Sequence, residues 1–143
     1  MADIRHAVQI AAPAATVSPL VSTGEGLAKW WAEDMTKRPD GTIDLGFFNR
    51  ATVYSLRPQK ISIPSEAEWL CVSGKEWNGT IILFRLSESN GQTLVQFVHA
   101  EWASETEYFT SCNTTWGALM YRLKAVAEGQ PARPFFAKNG LAL

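Results

Sequence analysis

Cysteine is scarce: Cys71 and Cys112 are the only two in 143 residues. Both sit in apolar patterns, with no CxxC spacing and no Cys/His cluster. A disulfide framework and a zinc site are therefore excluded, no metal or cofactor is expected, and the thiols read as reduced core residues. Charge of one sign is missing as well. Lys and Arg number 13 against 14 Asp and Glu, a net charge of -1, and their scatter leaves no stripe to neutralise phosphates or anionic lipid. Nucleic acid and membrane surfaces are thereby excluded as partners. There is no apolar run long enough to span a bilayer. The first residues, with Asp3, Arg5 and His6 among short apolar pieces, lack the continuous stretch of a signal peptide, so a cytoplasmic protein is expected. Repeats, linkers and low-complexity tracts are absent too, and residues 1–143 are expected to form one domain.

What the chain does have is tryptophan. Six of them supply large apolar surfaces that must be packed, covered or used to receive something. Apolar residues make up 46% and charged residues 19% of the sequence, a globular mixture that folds without a partner. Ile4, His6, Val8 and Ile10 alternate with Arg5, Ala7 and Gln9, the period of a strand with one face on a core. Pro13 opens a short helix with Val17, Leu20 and Val21 on one face, and Pro19 is expected to interrupt or end it. A second helix starts at Ser22, capped there with a return bond from Glu25. It carries Leu27, Trp30 and Trp31 and ends before Pro39.

From Asp40 onward the signals are those of strands. Gly41 opens Thr42 to Phe48, Asn49 and Arg50 turn, and Ala51 to Leu56 runs to a stop at Pro58. Ile61 and Ile63 start a further piece that Pro64 interrupts. Ala67, Trp69 and Cys71 continue it at period two, with Glu66 and Glu68 on the solvated face. Residues 73–78 form a loop. Ile82, Phe84 and Leu86 share a face of the next strand, and beyond the Asn90-Gly91 hairpin signal Val95, Phe97 and His99 do the same. The outer faces of these strands are apolar too. Ile81, Leu83, Leu94 and Val98 offer a patch for a homodimer, the alternative being cover by the N-terminal helices. The last element is a long helix: Ser104 and Glu107 make a capping box, and Phe109, Cys112, Trp116, Leu119, Met120, Leu123 and Val126 recur at three and four. Gly129 and Pro131 end it. Gly117 inside it signals close packing, room for a guest beside Trp116, or mere tolerance. The resulting class is α+β, a helix-grip order: a curved antiparallel sheet of about six strands around a long C-terminal helix, with two short helices after the first strand.

Four segments carry a resemblance: Ile10-Ala11-Ala12-Pro13, Glu25-Gly26-Leu27-Ala28-Lys29-Trp30-Trp31, Trp77-Asn78-Gly79-Thr80 and Val98-His99-Ala100-Glu101-Trp102. In this order they resemble the START-like (SRPBCC) superfamily, and within it the family related to the C-terminal domain of the activator of the ninety-kilodalton heat-shock chaperone's ATPase. The resemblance spans nearly the whole chain. Ser18-Pro19 departs from it where helix formers are usual, and Glu101 stands where a small residue is common, so the first helix and the cavity rim are expected to differ. The resemblance implies a cavity between sheet and long helix that accepts apolar small molecules, and a chaperone as a further partner.

A curved sheet closing on a helix often leaves an apolar cavity with a few polar anchors. The expected lining is Trp69, Cys71, Phe84, Phe97 and His99 from strands, Trp116 and Met120 from the long helix, and Trp30 from the second. The same residues at these periods also make an ordinary core. His99 is the polar anchor of that set, offering a donor or acceptor to a bound carbonyl or hydroxyl, unless the protein itself satisfies it. No acid or nucleophile can be paired with it, the tyrosines receive no role, and Cys112 is read as inert packing, so no residue is assigned as catalytic. The leading expectation is a binding module for an apolar or aromatic small molecule. A chaperone-associated regulator acting through its outer surface follows, and an enzyme of cyclase or hydrolase type ranks below both.

Overall fold

The structure is a computed structural model that describes residues 2–131; the rest of the span expected as one domain lies outside the described residues. Its elements are β1 (Ala2–Ile10), α1 (Ala14–Ser22), α2 (Gly24–Trp30), β2 (Asp34–Lys37), β3 (Ile43–Phe47), β4 (Thr52–Ser62), β5 (Glu66–Cys71), β6 (Ile81–Ser89), β7 (Gln92–Trp102) and α3 (Glu107–Ala127). The strands form one antiparallel sheet in the order β1-β7-β6-β5-β4-β3-β2. The helix-grip architecture is as expected, with seven strands rather than about six. The added strand, β2, reads Asp-Met-Thr-Lys, with Asp34 and Met35 half-buried and Thr36 and Lys37 exposed. It has no apolar alternation and owes its conformation to pairing with β3.

Two of the prolines expected to end elements, Pro19 and Pro58, lie inside them. Pro19 falls within α1. The carbonyl that its missing N–H leaves unpaired in the helix ladder belongs to Ala15, which is exposed and open to water. Pro58 lies within β4, which absorbs it by a register shift between Pro58 and Lys60. The pairing of β3 stops at Leu56, so at Pro58 that side of β4 needs no donor. The piece containing Ile61 is therefore the end of β4, and Ile63 and Pro64 form the turn into β5.

The expected caps shift as well. Thr23, not Ser22, caps α2 by accepting from Gly26 N at 2.9 Å, and Thr106, not Ser104, caps α3 by accepting from Phe109 N at 3.2 Å. Thr106 also donates to Glu76 Oε1 at 2.6 Å, pinning the start of α3 to the β5–β6 loop. The Asn90-Gly91 hairpin forms as read: both residues have positive φ (55° and 74°) and Ser89 pairs with Gln92, the geometry of a two-residue primed turn.

The concave face holds the core. Ile4, Val8, Ile82, Phe84, Val95, Phe97 and Trp69 from the strands meet Val17, Val21, Leu27, Trp30, Trp116, Met120 and Leu123 from the helices. Two indoles fasten α1: Trp30 Nε1, from α2, donates to Leu20 O at 2.8 Å, and Trp69 Nε1, from β5, to Val21 O at 2.9 Å. They satisfy carbonyls that the end of a helix leaves without partners. The N-terminal helices therefore lie on the same side of the sheet as α3 and do not cover its convex face.

Candidate functional site

An open pocket of about 200 Å³ lies between the first three turns of α3 and the β3–β4 end of the sheet. It exists because α3 packs most closely on β1, at the opposite edge of the sheet, so side chains cannot close the gap toward β3 and β4. Along α3, Tyr108, Cys112, Thr115 and Leu119 face it, a row at spacings of four and three on one side of a helix. Opposite stand Phe47, Phe48, Thr52 and Tyr54, and Trp31 and Trp77 close the ends.

The walls are aromatic and interlocked. Tyr54 stacks on Trp77 with centroids 4.0 Å apart, and Trp31 packs against Trp116 at 4.8 Å and Phe47 at 5.8 Å. Such ring pairs add about 0.5–1.5 kcal/mol each beyond burial, so the walls are preformed. At the rim Phe48 is 44% and Tyr108 36% exposed, and Val53 in an adjoining groove is 37% exposed. Phe48, Asn49 and Arg50 all have positive φ (54°, 56° and 67°). Three consecutive non-glycine residues in that region carry strain of about 1–3 kcal/mol each, which the surrounding structure must hold.

The polar groups of the pocket are neutral. The Tyr54 and Tyr108 hydroxyls hydrogen-bond to each other, joining β4 to the first turn of α3. Burial raises the pKa of both phenols and of the Cys112 thiol. Cys112 therefore stays a thiol near neutral pH, a weak nucleophile. Trp77 Nε1 is buried without a partner at hydrogen-bond geometry, yet it lies close enough to favour the Cys112 thiolate, an effect smaller than that of burial. Among the described residues the lining contains no carboxylate, imidazole, Lys or Arg. No acid–base pair converges there, and a charged ligand would meet no counter-charge. Among the described residues no group of three or more His, Cys, Asp or Glu could hold a metal.

Of the residues expected to line a cavity, Trp116 alone is on this pocket's wall. Trp30, Cys71, Phe84, Phe97, His99 and Met120 are core residues off this wall, and Trp69 borders a separate cleft with Ser22, Thr23, Ile43 and Pro58, all seven expected residues being 2% exposed or less. His99 is satisfied by the protein. Trp116 Nε1 donates to its Nδ1 at 3.1 Å, which an indole can do only to an unprotonated nitrogen, so the proton sits on Nε2 and is donated to Thr80 Oγ1 at 2.8 Å. Thr80 in turn donates to Trp77 O at 2.6 Å. Burial lowers the His99 pKa to about 3, leaving a neutral imidazole with no free nitrogen. Gly117, read as a sign of close packing or of a guest, is explained by packing: a Cβ there would lie 3.3 Å from His6 Cε1.

Tyr54, Trp77, Tyr108 and Cys112 were not read as a site. The available signal was the helical row of Tyr108, Cys112, Thr115 and Leu119, in which Cys112 and Leu119 belong to the stripe read from the sequence and Tyr108 and Thr115 flank it.

No family model matches the sequence, and no curated protein matches it either. Solved structures do. The Aha1 dimer from Colwellia psychrerythraea is 28% identical, with a TM-score of 0.78 over 90% of this chain and 98% of that chain. CalU16 from Micromonospora echinospora is 20% identical, with a TM-score of 0.71 over 91% of this chain and 76% of that one. BH1534 from Bacillus halodurans is likewise 20% identical, with a TM-score of 0.71 over 90% and 98% of the two chains. The last two likenesses bear on the fold alone. The Aha1 likeness extends to sequence over nearly the whole of both chains.

Proposed function

We propose that this chain is a small-molecule-binding module whose ligand is apolar, aromatic and uncharged. The observation that carries the reading is the preformed pocket of about 200 Å³, walled by aromatic rings and containing only neutral polar groups. Flat rings offer stacking surface, and the Tyr54–Tyr108 hydroxyls supply the polar contact that orients a guest. In this reading Trp116 touches the ligand. Trp30, Cys71, Phe84, Phe97, His99 and Met120, expected to do so, support the wall from the core, and Trp69 anchors α1.

The test is native mass spectrometry of the purified protein, followed by a thermal-shift screen of neutral aromatic compounds on wild type and Thr115→Phe, which fills the pocket. A compound that stabilises wild type but not the folded variant supports the reading. Equal shifts in both, or no binder at all, overturn it.

A second reading, a chaperone-associated regulator acting through its outer surface, is favoured by the 28% identity to Aha1. Failure to bind a heat-shock chaperone or change its ATPase rate would reject it. With the Colwellia protein described as a dimer, we also infer that this chain self-associates. Both free cysteines are buried and no described helix is long and apolar enough to cross a membrane, in keeping with a reducing, cytoplasmic setting as part of the same proposal.

A further inference from the structure

Among the described residues none of the helices covers the convex face of the sheet, yet its centre is apolar. The register defines the surface row by row. Arg5 pairs with Val98, Val98 with Leu83 and Leu83 with Glu68, so one row reads Arg5-Val98-Leu83-Glu68 across β1, β7, β6 and β5. The next row reads Ala100-Ile81-Leu70. On the other side lie Gln96, Arg85 and Glu66. The apolar members are all half-exposed, whereas a solvated sheet face ordinarily alternates to polar residues. A contiguous apolar centre with a charged rim is the pattern of an interaction site.

We propose that this face is the contact between two copies of the chain, arranged about a two-fold axis that runs along the strands between β6 and β7. Such an axis exchanges β6 with β7 and β5 with β1. It lays Val98 of one copy on Leu83 of the other, Ala100 on Ile81, and Gln96 on Arg85. In the same operation Arg5 of each copy comes over Glu68 of the other, so the row that brackets the apolar centre with opposite charges complements itself twice. Self-complementarity of this kind is what an isologous interface requires. Arg5 already donates to Asp3 at 3.0 Å, and its planar fork has further donors for a second carboxylate. Leu94, beside Ser87 in the row beyond Gln96, falls at the margin. This assignment rests on the inference that the chain self-associates and adds to it the face, the axis and the pairing.

The test is sedimentation velocity of the full chain from about 1 to about 100 μM, a range in which dimers of moderate affinity dissociate. Wild type should be dimeric at the upper end. Leu83→Arg should be monomeric throughout, with unchanged circular dichroism. Arg5→Glu and Glu68→Arg should each weaken the dimer by about tenfold, because each places like charges together at two symmetric contacts, and the double variant should recover it. A dimer that survives Leu83→Arg, or charge variants that do not rescue each other, would overturn the face while leaving self-association in place. A wild type that stays monomeric at the highest concentration would overturn both.

Discussion

His99 shows how a residue can matter to a site it does not touch. Its two nitrogens hold Trp116 directly and, through Thr80, the backbone of Trp77, and both indoles stand on the pocket wall. Protonation would place an N–H on Nδ1 facing the Trp116 N–H, donor against donor. Its pKa is lowered to about 3 by burial, against an ordinary value of about 6.5 in the unfolded chain. The unfolded state therefore binds a proton that the native state refuses. The stability this group confers is complete above about pH 6.5 and is lost as pH falls toward the native value, at up to about 1.4 kcal/mol per pH unit. His99→Gln can still donate to Thr80 and accept from Trp116, but does not titrate. Urea unfolding of wild type and His99→Gln at pH 7 and pH 5 should show a loss in wild type that is smaller in the variant by about 1–2 kcal/mol. Equal losses would mean that His99 ionises freely in the native state.

At the scale of elements, the junction of α1 and α2 depends on Gly26. A Cβ there would lie 1.9 Å from Pro19 O and 2.6 Å from Leu20 Cα. These are backbone atoms, which cannot swing aside as a side-chain end can. They are held further by Thr23, whose hydroxyl donates to Pro19 O at 2.8 Å while accepting from Gly26 N. Gly26→Ala would gain helix propensity of about 1 kcal/mol elsewhere, but here it must push two helices apart. The expected outcome is a loss of about 3 kcal/mol or more, read as a lower urea midpoint. A neutral or stabilising effect would show that α2 can slide. This closeness was not legible in the sequence, where Gly26 stood merely as part of a motif. What was legible was whatever alternation or a hairpin signal dictates: the inward faces of β6 and β7, the stripe of α3, and the Asn90-Gly91 turn. Pro19 and Pro58 misled because the cost of a proline depends on which neighbour needed its N–H, and that neighbour is set by tertiary structure.

At the scale of the molecule, the side chains expected to line a cavity are buried in the core apart from Trp116, which also stands on the open pocket toward β3 and β4. The strand residues Trp69, Phe84, Phe97 and His99 face the concave side as the alternation said. Whether that side is filled depends on where the helices sit, which periodicity does not encode. The N-terminal helices and α3 together fill the middle of the sheet and leave the β3–β4 end open. One contact that fixes this arrangement joins α3 to α2: Arg122 Nε donates to Trp30 O at 2.5 Å. Arg122 is half-buried, and burial lowers its pKa, so the bond must offset a desolvation cost. Arg122→Ala removes a charged donor from a carbonyl at the end of α2, a deletion that costs about 1.5–3 kcal/mol. Because Trp31 follows Trp30 and forms a wall of the pocket, the effect should not stop at stability. Hydrogen exchange of the α2 amides should speed up relative to those of β6 and β7, and any compound found to stabilise wild type should stabilise Arg122→Ala less, even after its lower melting temperature is taken into account. If stability falls while α2 exchange and ligand response do not change, α2 is held by its apolar contacts alone and Arg122 acts only on α3.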